Sequence, residues 1–173
     1  MATNYKLKDY AEIAGKDIFI DANVIIYLFW PTGQRNFEEN YARVFRNLLR
    51  QGNKLYLDFF IISEVINTVL RIEYQKLNPE HKFKEFRNSQ DGKNVVSDIY
   101  LIIQNDILSK FNIIGKSFNR SNIEGILIVD QLDFVDKATV SICSENNLIL
   151  LTNDKDFKNS GLNILTDNPH ILH

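Results

Sequence analysis

A chain of 173 residues, 45% of them hydrophobic, has room for one domain with a buried core. Twenty basic against 22 acidic residues give a net charge of −2, which excludes a bulk basic signature of nucleic-acid binding and leaves only local patches for it. The single cysteine, Cys143, excludes an internal disulfide and a cysteine-built zinc site, and it suits a reducing compartment.

No apolar run is long enough to span a membrane, so no membrane partner is expected. The first stretch, Met1 to Asp17, is polar and lacks the apolar core of a signal peptide, which places the protein in the cytoplasm as an expectation. A short helical turn is predicted near Leu7, Tyr10, Ala11 and Ala14. Ile18-Phe19-Ile20 then reads as a strand buried on both faces, followed by Asp21 and a short helix to Leu28. Pro31-Thr32-Gly33 marks a turn. A second helix is predicted from about Asn36 to Gln51, with Phe37, Tyr41, Val44, Phe45, Leu48 and Leu49 on one face and Gly52 as its stop. Arg43, Arg46 and Arg50 share another face. A solvated basic stripe is the ordinary reading of such a run, and RNA-backbone contact is the functional one.

Leu55-Tyr56-Leu57 is a second strand, and Asp58 caps a helix running to about Leu77. That helix turns Ile62, Val65, Ile66, Val69 and Ile72 inward and carries Glu64 on its polar side. Asn78 to Lys93 is polar and reads as a connection or a short irregular helix. Val95 to Lys110 is amphipathic. Its stripe of Val96, Ile99, Ile103 and Ile107 leaves two readings open, core packing or a homodimer surface. Phe111 to Ile114 is a weak strand, and Ile123 to Leu132 reads as a short helix. A longer helix runs from Phe134 to Asn146, then a buried strand Leu148–Leu151, and a last short strand Leu162–Leu165. Strands alternating with helices imply an α/β fold with a mostly parallel sheet, its strand ends gathered on one edge.

Several carboxylates fall at that edge. Asp21 follows the first strand and Glu64 lies in the second turn of the helix after the second strand. Asp133 and Asp136 open the helix before the late strand, and Asp154 and Asp156 follow that strand. Taken singly, each has an ordinary role: Asp21 as a helix cap, Glu64 as a surface glutamate, Asp133 and Asp136 as first-turn acids, Asp154 and Asp156 as turn residues. Taken together they would repel one another unless a cation sat among them. With few histidines and no cysteine at hand, the fitting cation is a hard one that takes oxygen ligands, Mg²⁺ or Mn²⁺. Such an ion can activate water for attack on a phosphodiester, which is nuclease chemistry.

These residues also resemble a known family. Ile20-Asp21-Ala22-Asn23, Ser63-Glu64-Val65, Asp136-Lys137-Ala138 and Leu151-Thr152-Asn153-Asp154-Lys155-Asp156-Phe157 occur in the order and spacing of the PIN-domain ribonucleases, in particular the VapC-like toxin group. The resemblance spans Ile18 to about Leu165. It implies a PIN-like three-layer α/β/α fold over residues 1–173, with an extended helical or loop insertion around 77–110. It implies Asp21, Glu64, Asp136 and Asp154 as the metal-binding and catalytic quartet. Asn23 and Thr152 would be supporting polar residues, Asp133 a cap or outer residue, and Asp156 an outer residue. RNA is then the substrate, Mg²⁺ or Mn²⁺ the cofactor, and an antitoxin protein the partner of a toxin–antitoxin pair. Two departures stand out: the added length between Leu77 and Lys110, and an alanine-poor helix after Asp136.

Two other classes compete with this reading. One is a catalytically idle PIN-like module that binds RNA or protein, which the four filled acidic positions disfavour. The other is a phosphatase using Asp21 as nucleophile, which needs a second acid where Asn23 stands. Cys143 reads as a buried small hydrophobe and Trp30 as packing, while His81, His170 and His173 show no partner pattern.

Overall fold

The computed structural model describes residues 2–77, 80 and 82–172. The β-rich tripeptide Ile18-Phe19-Ile20 forms strand β2 (Ile18–Ile20), and all three of its residues are fully buried. Such a strand needs cover on both faces, and a parallel sheet with helices around it supplies that cover. Six strands make the sheet, in the order β1-β6-β5-β2-β3-β4, with every neighbouring pair parallel. β1 is Asn4–Lys6, β3 Leu55–Leu57, β4 Asn112–Ile113, β5 Ile149–Leu151 and β6 Ile164–Thr166. The α/β/α arrangement expected from the sequence is thus present, with a sheet that is wholly rather than mostly parallel.

The connections decide where a cleft opens. From β2 the chain passes through helices α1 (Ala22–Phe29) and α2 (Arg35–Arg50) into β3, on one side of β2. From β5 it passes through a 3-10 turn, Lys155–Asn159, into β6, on the opposite side. The strands' carboxyl ends therefore part company between β2 and β5, the kind of switch point where parallel sheets place their ligands.

Helix α3 (Phe59–Leu77) starts at the cap Asp58, whose Oδ1 accepts from the Ile61 amide at 2.8 Å. Its buried residues are Ile61, Val65, Val69 and Leu70, while Ile62, Ile66 and Ile72 are half-buried. In α2 the buried face is Tyr41, Val44, Phe45 and Leu48; Leu49, expected on that face, is exposed.

Three elements differ from expectation. The segment expected to be one helical turn begins with β1, a strand of polar residues, and the turn that follows is 3-10, Leu7–Ile13. Polar edge strands carry no hydrophobic period to betray them. The polar stretch before Val95 holds the short helix that was one of its two expected forms, α4 (Phe83–Asn88), but the helix expected from Val95 starts earlier, as α5 (Gln90–Ile102), at Ser89, which caps it by accepting from the Gly92 amide. α5 continues into a π turn, Ile103–Ile107, and buries Ile99, Ile103 and Ile107 in the core. That stripe is core packing. Lastly, the helix expected over Ile123–Leu132 is α6 (Arg120–Ile126), which ends early and leaves Leu127, Ile128 and Val129 exposed. Helix α7 (Phe134–Asn146) has the expected bounds and stops at Asn147, in the left-handed region with φ 52°. The chain closes with α8 (Pro169–Leu172) after β6. Of the residues named from sequence, Met1, Asn78, His81 and His173 lie outside those described. Among the described residues no helix is long and apolar enough to cross a membrane.

Candidate functional site

β2 ends in the core, so the next side chain, Asp21, is buried at the mouth of the β2/β5 switch point, only 6% exposed. A buried carboxylate demands donors, and it has them. Oδ1 accepts from the Ala22 amide at 2.7 Å, which makes Asp21 the cap of α1. Oδ2 accepts from the Asn23 side-chain Nδ2 at 2.7 Å and from the Thr152 hydroxyl. Thr152 follows β5 and is fully buried. Its oxygen also accepts from the Asp154 amide at 2.9 Å, so one hydroxyl ties the ends of β2 and β5 together. Asp154 Oδ1 in turn accepts from the Asp156 amide at 2.9 Å.

The ordinary roles weighed from sequence are also real. Asp133 caps α7 by accepting from the Asp136 amide at 2.8 Å, and Asp136 reaches back to the Asp133 amide at 3.4 Å. Capping leaves Asp136 half-buried on the first turn of α7. Glu64 opens to solvent on the second turn of α3, yet its carboxyl faces the other acids.

The electrostatics show which acids are neighbours. Burial, with repulsion from Glu64 and Asp154 added, lifts the Asp21 carboxyl to about 7. Burial and the charges of Asp133, Asp21 and Asp154 lift Asp136 to about 7. Glu64 is raised by burial and by Asp136, Asp133, Asp154 and Asp58. Every pairing among Asp21, Glu64, Asp136 and Asp154 therefore carries a repulsion. None of the ion pairs among the described residues brings a lysine or arginine to any of the four. Among the described residues, however, no three acids, histidines or cysteines stand close enough to grip an ion as they are. Uncompensated carboxylates in a half-dry cleft repel one another, and a divalent cation taking oxygen ligands would relieve that repulsion. The donor set, all oxygen, fits such an ion.

Two buried residues near the cleft, one of them holding it from behind, were not expected there from sequence. Tyr41, fully buried on α2, donates its hydroxyl to the Thr152 carbonyl at 3.0 Å and accepts from the Asp167 amide at 3.2 Å. On an apolar helix face a tyrosine looks like packing, so no sequence signal marked that role. Asp58, expected only as a cap, is 2% exposed, and its Oδ2 has no hydrogen-bond partner among the described residues. Burial raises its carboxyl, and it lies near both Glu64 and Cys143. Cys143 itself is fully buried, with its thiol pushed up by that burial, as befits an inert core residue. Of the arginines, Arg43 lines a cavity between α2 and the chain's two ends, while Arg46 turns back to its own helix at the Ala42 carbonyl and Arg50 is exposed. His170 is exposed, and its backbone amide donates to Asn168 Oδ1 at 2.9 Å.

Comparison with known proteins agrees with this geometry. The crystal structure of VapBC2 from Rickettsia felis, bound to a DNA fragment from their promoter, matches 86% of this chain and 97% of its own chain. The TM-score is 0.50 at 16% sequence identity, a likeness of fold. No curated protein matches the sequence. The family model for the PIN domain matches residues 18–161, from the first residue of β2 past the 3-10 turn after β5, a span that includes all four acids. The chain belongs to the PIN domain family, whose members are generally nucleases.

Proposed function

We propose that this protein is a metal-dependent endoribonuclease, with Asp21, Glu64, Asp136 and Asp154 as the carboxylates that hold Mg²⁺ or Mn²⁺. The observation that carries the reading is the mutual repulsion of these four acids at the β2/β5 switch point, with no cationic side chain among the described residues to relieve it. A divalent ion bound there supplies an activated water and charge stabilisation for in-line displacement at phosphorus. The chain's own part is positioning. Ala22, Asn23 and Thr152 fix both oxygens of Asp21. Thr152 also fixes the backbone of Asp154, so two ligands from different strands share one hydroxyl. Asp133, by capping α7, sets the height at which Asp136 enters the cleft. Low solvent access around Asp21 strengthens every charge interaction made there.

The likeness to VapBC2 extends the proposal to a toxin of a toxin–antitoxin pair, inhibited by a protein antitoxin. The exposed apolar residues at this edge support a protein partner: Phe59 opens α3, Phe134 opens α7, and Leu127–Val129 precede it. The deciding experiment incubates single-stranded RNA and DNA oligonucleotides with the protein, with and without Mg²⁺ or Mn²⁺, beside Asp21→Asn. Cleavage of RNA that needs the metal and disappears in Asp21→Asn is the expected result. Full cleavage by Asp21→Asn, or cleavage undiminished in a chelator, would reject the assignment.

A further inference from the structure

On the edge of the sheet away from β4, the chain has built something outside the matched domain. β1, the 3-10 turn after it, β6 and α8 all lie beyond residues 18–161. With α2, the end of β1, the 3-10 turn, the residue after β6 and α8 border an open cavity of about 480 Å³, lined by apolar side chains together with Lys6, Lys8, Arg43, Asn40, Asn47 and one carboxylate, Asp167. That volume is within the range of small-ligand sites.

Its charge is unbalanced. Lys6, Lys8 and Arg43 are all exposed, and none of them takes part in an ion pair among the described residues. Asp167, whose Oδ2 accepts from the Asn40 side-chain amide at 2.7 Å, offsets one of the three, and the lining keeps an excess of positive charge. Three like charges around one concavity repel each other and maintain a positive potential, which an anion relieves. A guanidinium fork and two ammonium groups suit the several oxygens of a phosphate.

The cavity also shares a wall with the acidic cleft. Asn40 donates to Asp167 at 2.7 Å, the Asp167 amide to the Tyr41 hydroxyl at 3.2 Å, and Tyr41 to the Thr152 carbonyl at 3.0 Å. Thr152 then reaches Asp21. One side of α2 thus faces the cleft and the adjoining side faces the cations.

We propose that this cavity is a phosphate-binding site, added to the PIN domain by the chain's two ends and placed to hold a nucleic-acid phosphate while the strand continues past the acidic cleft. In that placement it rests on the nuclease reading above; as a phosphate site it stands without it. The same chemistry would be satisfied by the phosphate of a free mononucleotide.

Binding in a chelator, where metal-dependent cleavage is off, separates these cases. A fluorescent single-stranded oligoribonucleotide, adenosine monophosphate and inorganic phosphate are titrated into wild type and into the double variant Lys8→Ala, Arg43→Ala. Both side chains are exposed, so the fold should survive, and circular dichroism checks it. Oligoribonucleotide affinity should fall about tenfold in the variant, with the salt dependence shallower by about 0.7 for each phosphate no longer neutralised. A weakening confined to the oligoribonucleotide assigns the site to a strand. A matching weakening for the mononucleotide assigns it to a free ligand. Unchanged affinity and slope for all three probes would overturn the proposal. Should the variant not fold, acetylation of the wild type answers instead: Lys6 and Lys8 should be protected by oligoribonucleotide, and equal labelling with and without it refutes the site. Absence of cleavage by the wild type with Mg²⁺, alongside intact phosphate binding, would remove the nuclease reading and leave the cavity assigned.

Discussion

Asp21 holds its proton far longer in the folded chain than it would unfolded, because burial and two neighbouring acids disfavour its charge. Its folded value of about 7 lies above the ordinary 3.8, so the folded state binds more protons across that window. The contribution of this one residue to the stability of the metal-free protein is then full below about pH 4 and is lost as pH rises towards about 7, an amount on the order of 4 kcal/mol. Asp136, raised in the same direction, adds to the slope. Urea unfolding in a chelator should therefore show a midpoint that falls between about pH 4 and pH 7. Asp21→Asn should flatten much of that fall, and an unchanged slope would mean that Asp21 is not its source. Tyr41→Phe tests the support behind the cleft. It strips a partner from the Thr152 carbonyl and the Asp167 amide and should cost about 1–3 kcal/mol. Thermal unfolding reads the loss, and cleavage should slow because the end of β5 loosens. A wild-type melting temperature in Tyr41→Phe would show that the hydroxyl is dispensable.

The α4–α5 corner is the element whose construction is least forgiving. α5 can approach α4 only because Gly92 has no side chain: a Cβ there would lie 2.0 Å from the Phe86 carbonyl oxygen. That neighbour is backbone and cannot step aside. Gly92→Ala should accordingly cost about 1–3 kcal/mol or more through overpacking, against about 1 kcal/mol for Ser89→Ala, which removes the cap and the hydroxyl's bond to the Phe86 carbonyl. Denaturant titration of both variants checks the ranking, and equal costs would contradict the steric argument. The same corner explains why the polar stretch before Val95 is hard to read from sequence. Its helix is specified by one cap and one close approach, and neither leaves a hydrophobic period. The opposite case is Leu127–Val129, where apolar residues suggest a helix but face solvent.

For the whole molecule, the clustered acids make metal binding a stability effect. A divalent ion that binds the folded cleft and not the unfolded chain should add about 2.7 kcal/mol at a concentration one hundred times its Kd. For a chain of this size that corresponds to a rise of about 5–10 °C in melting temperature. Calorimetry with Mn²⁺ should show the rise in wild type and lose it in Asp21→Asn. No rise in wild type would favour an idle binding module over an enzyme.

Much of the fold could be read in advance because it rests on local, periodic signals. The buried run at Ile18–Ile20, the capped helices after Asp21 and Asp58, and the span Phe134–Asn146 each carry their own evidence in a few residues. The order of Asp21, Glu64, Asp136 and Asp154 along the chain also carried the family resemblance. Tertiary structure alone decided the rest. The parallel pairing of β2 with β5 brings Asp21 to Thr152, residues 131 apart in sequence. The pairing of β1 with β6 joins the two ends of the chain beside α2 and so assembles the cationic cavity. Strand order and the meeting of distant side chains arise from long-range burial, which no short window of sequence encodes.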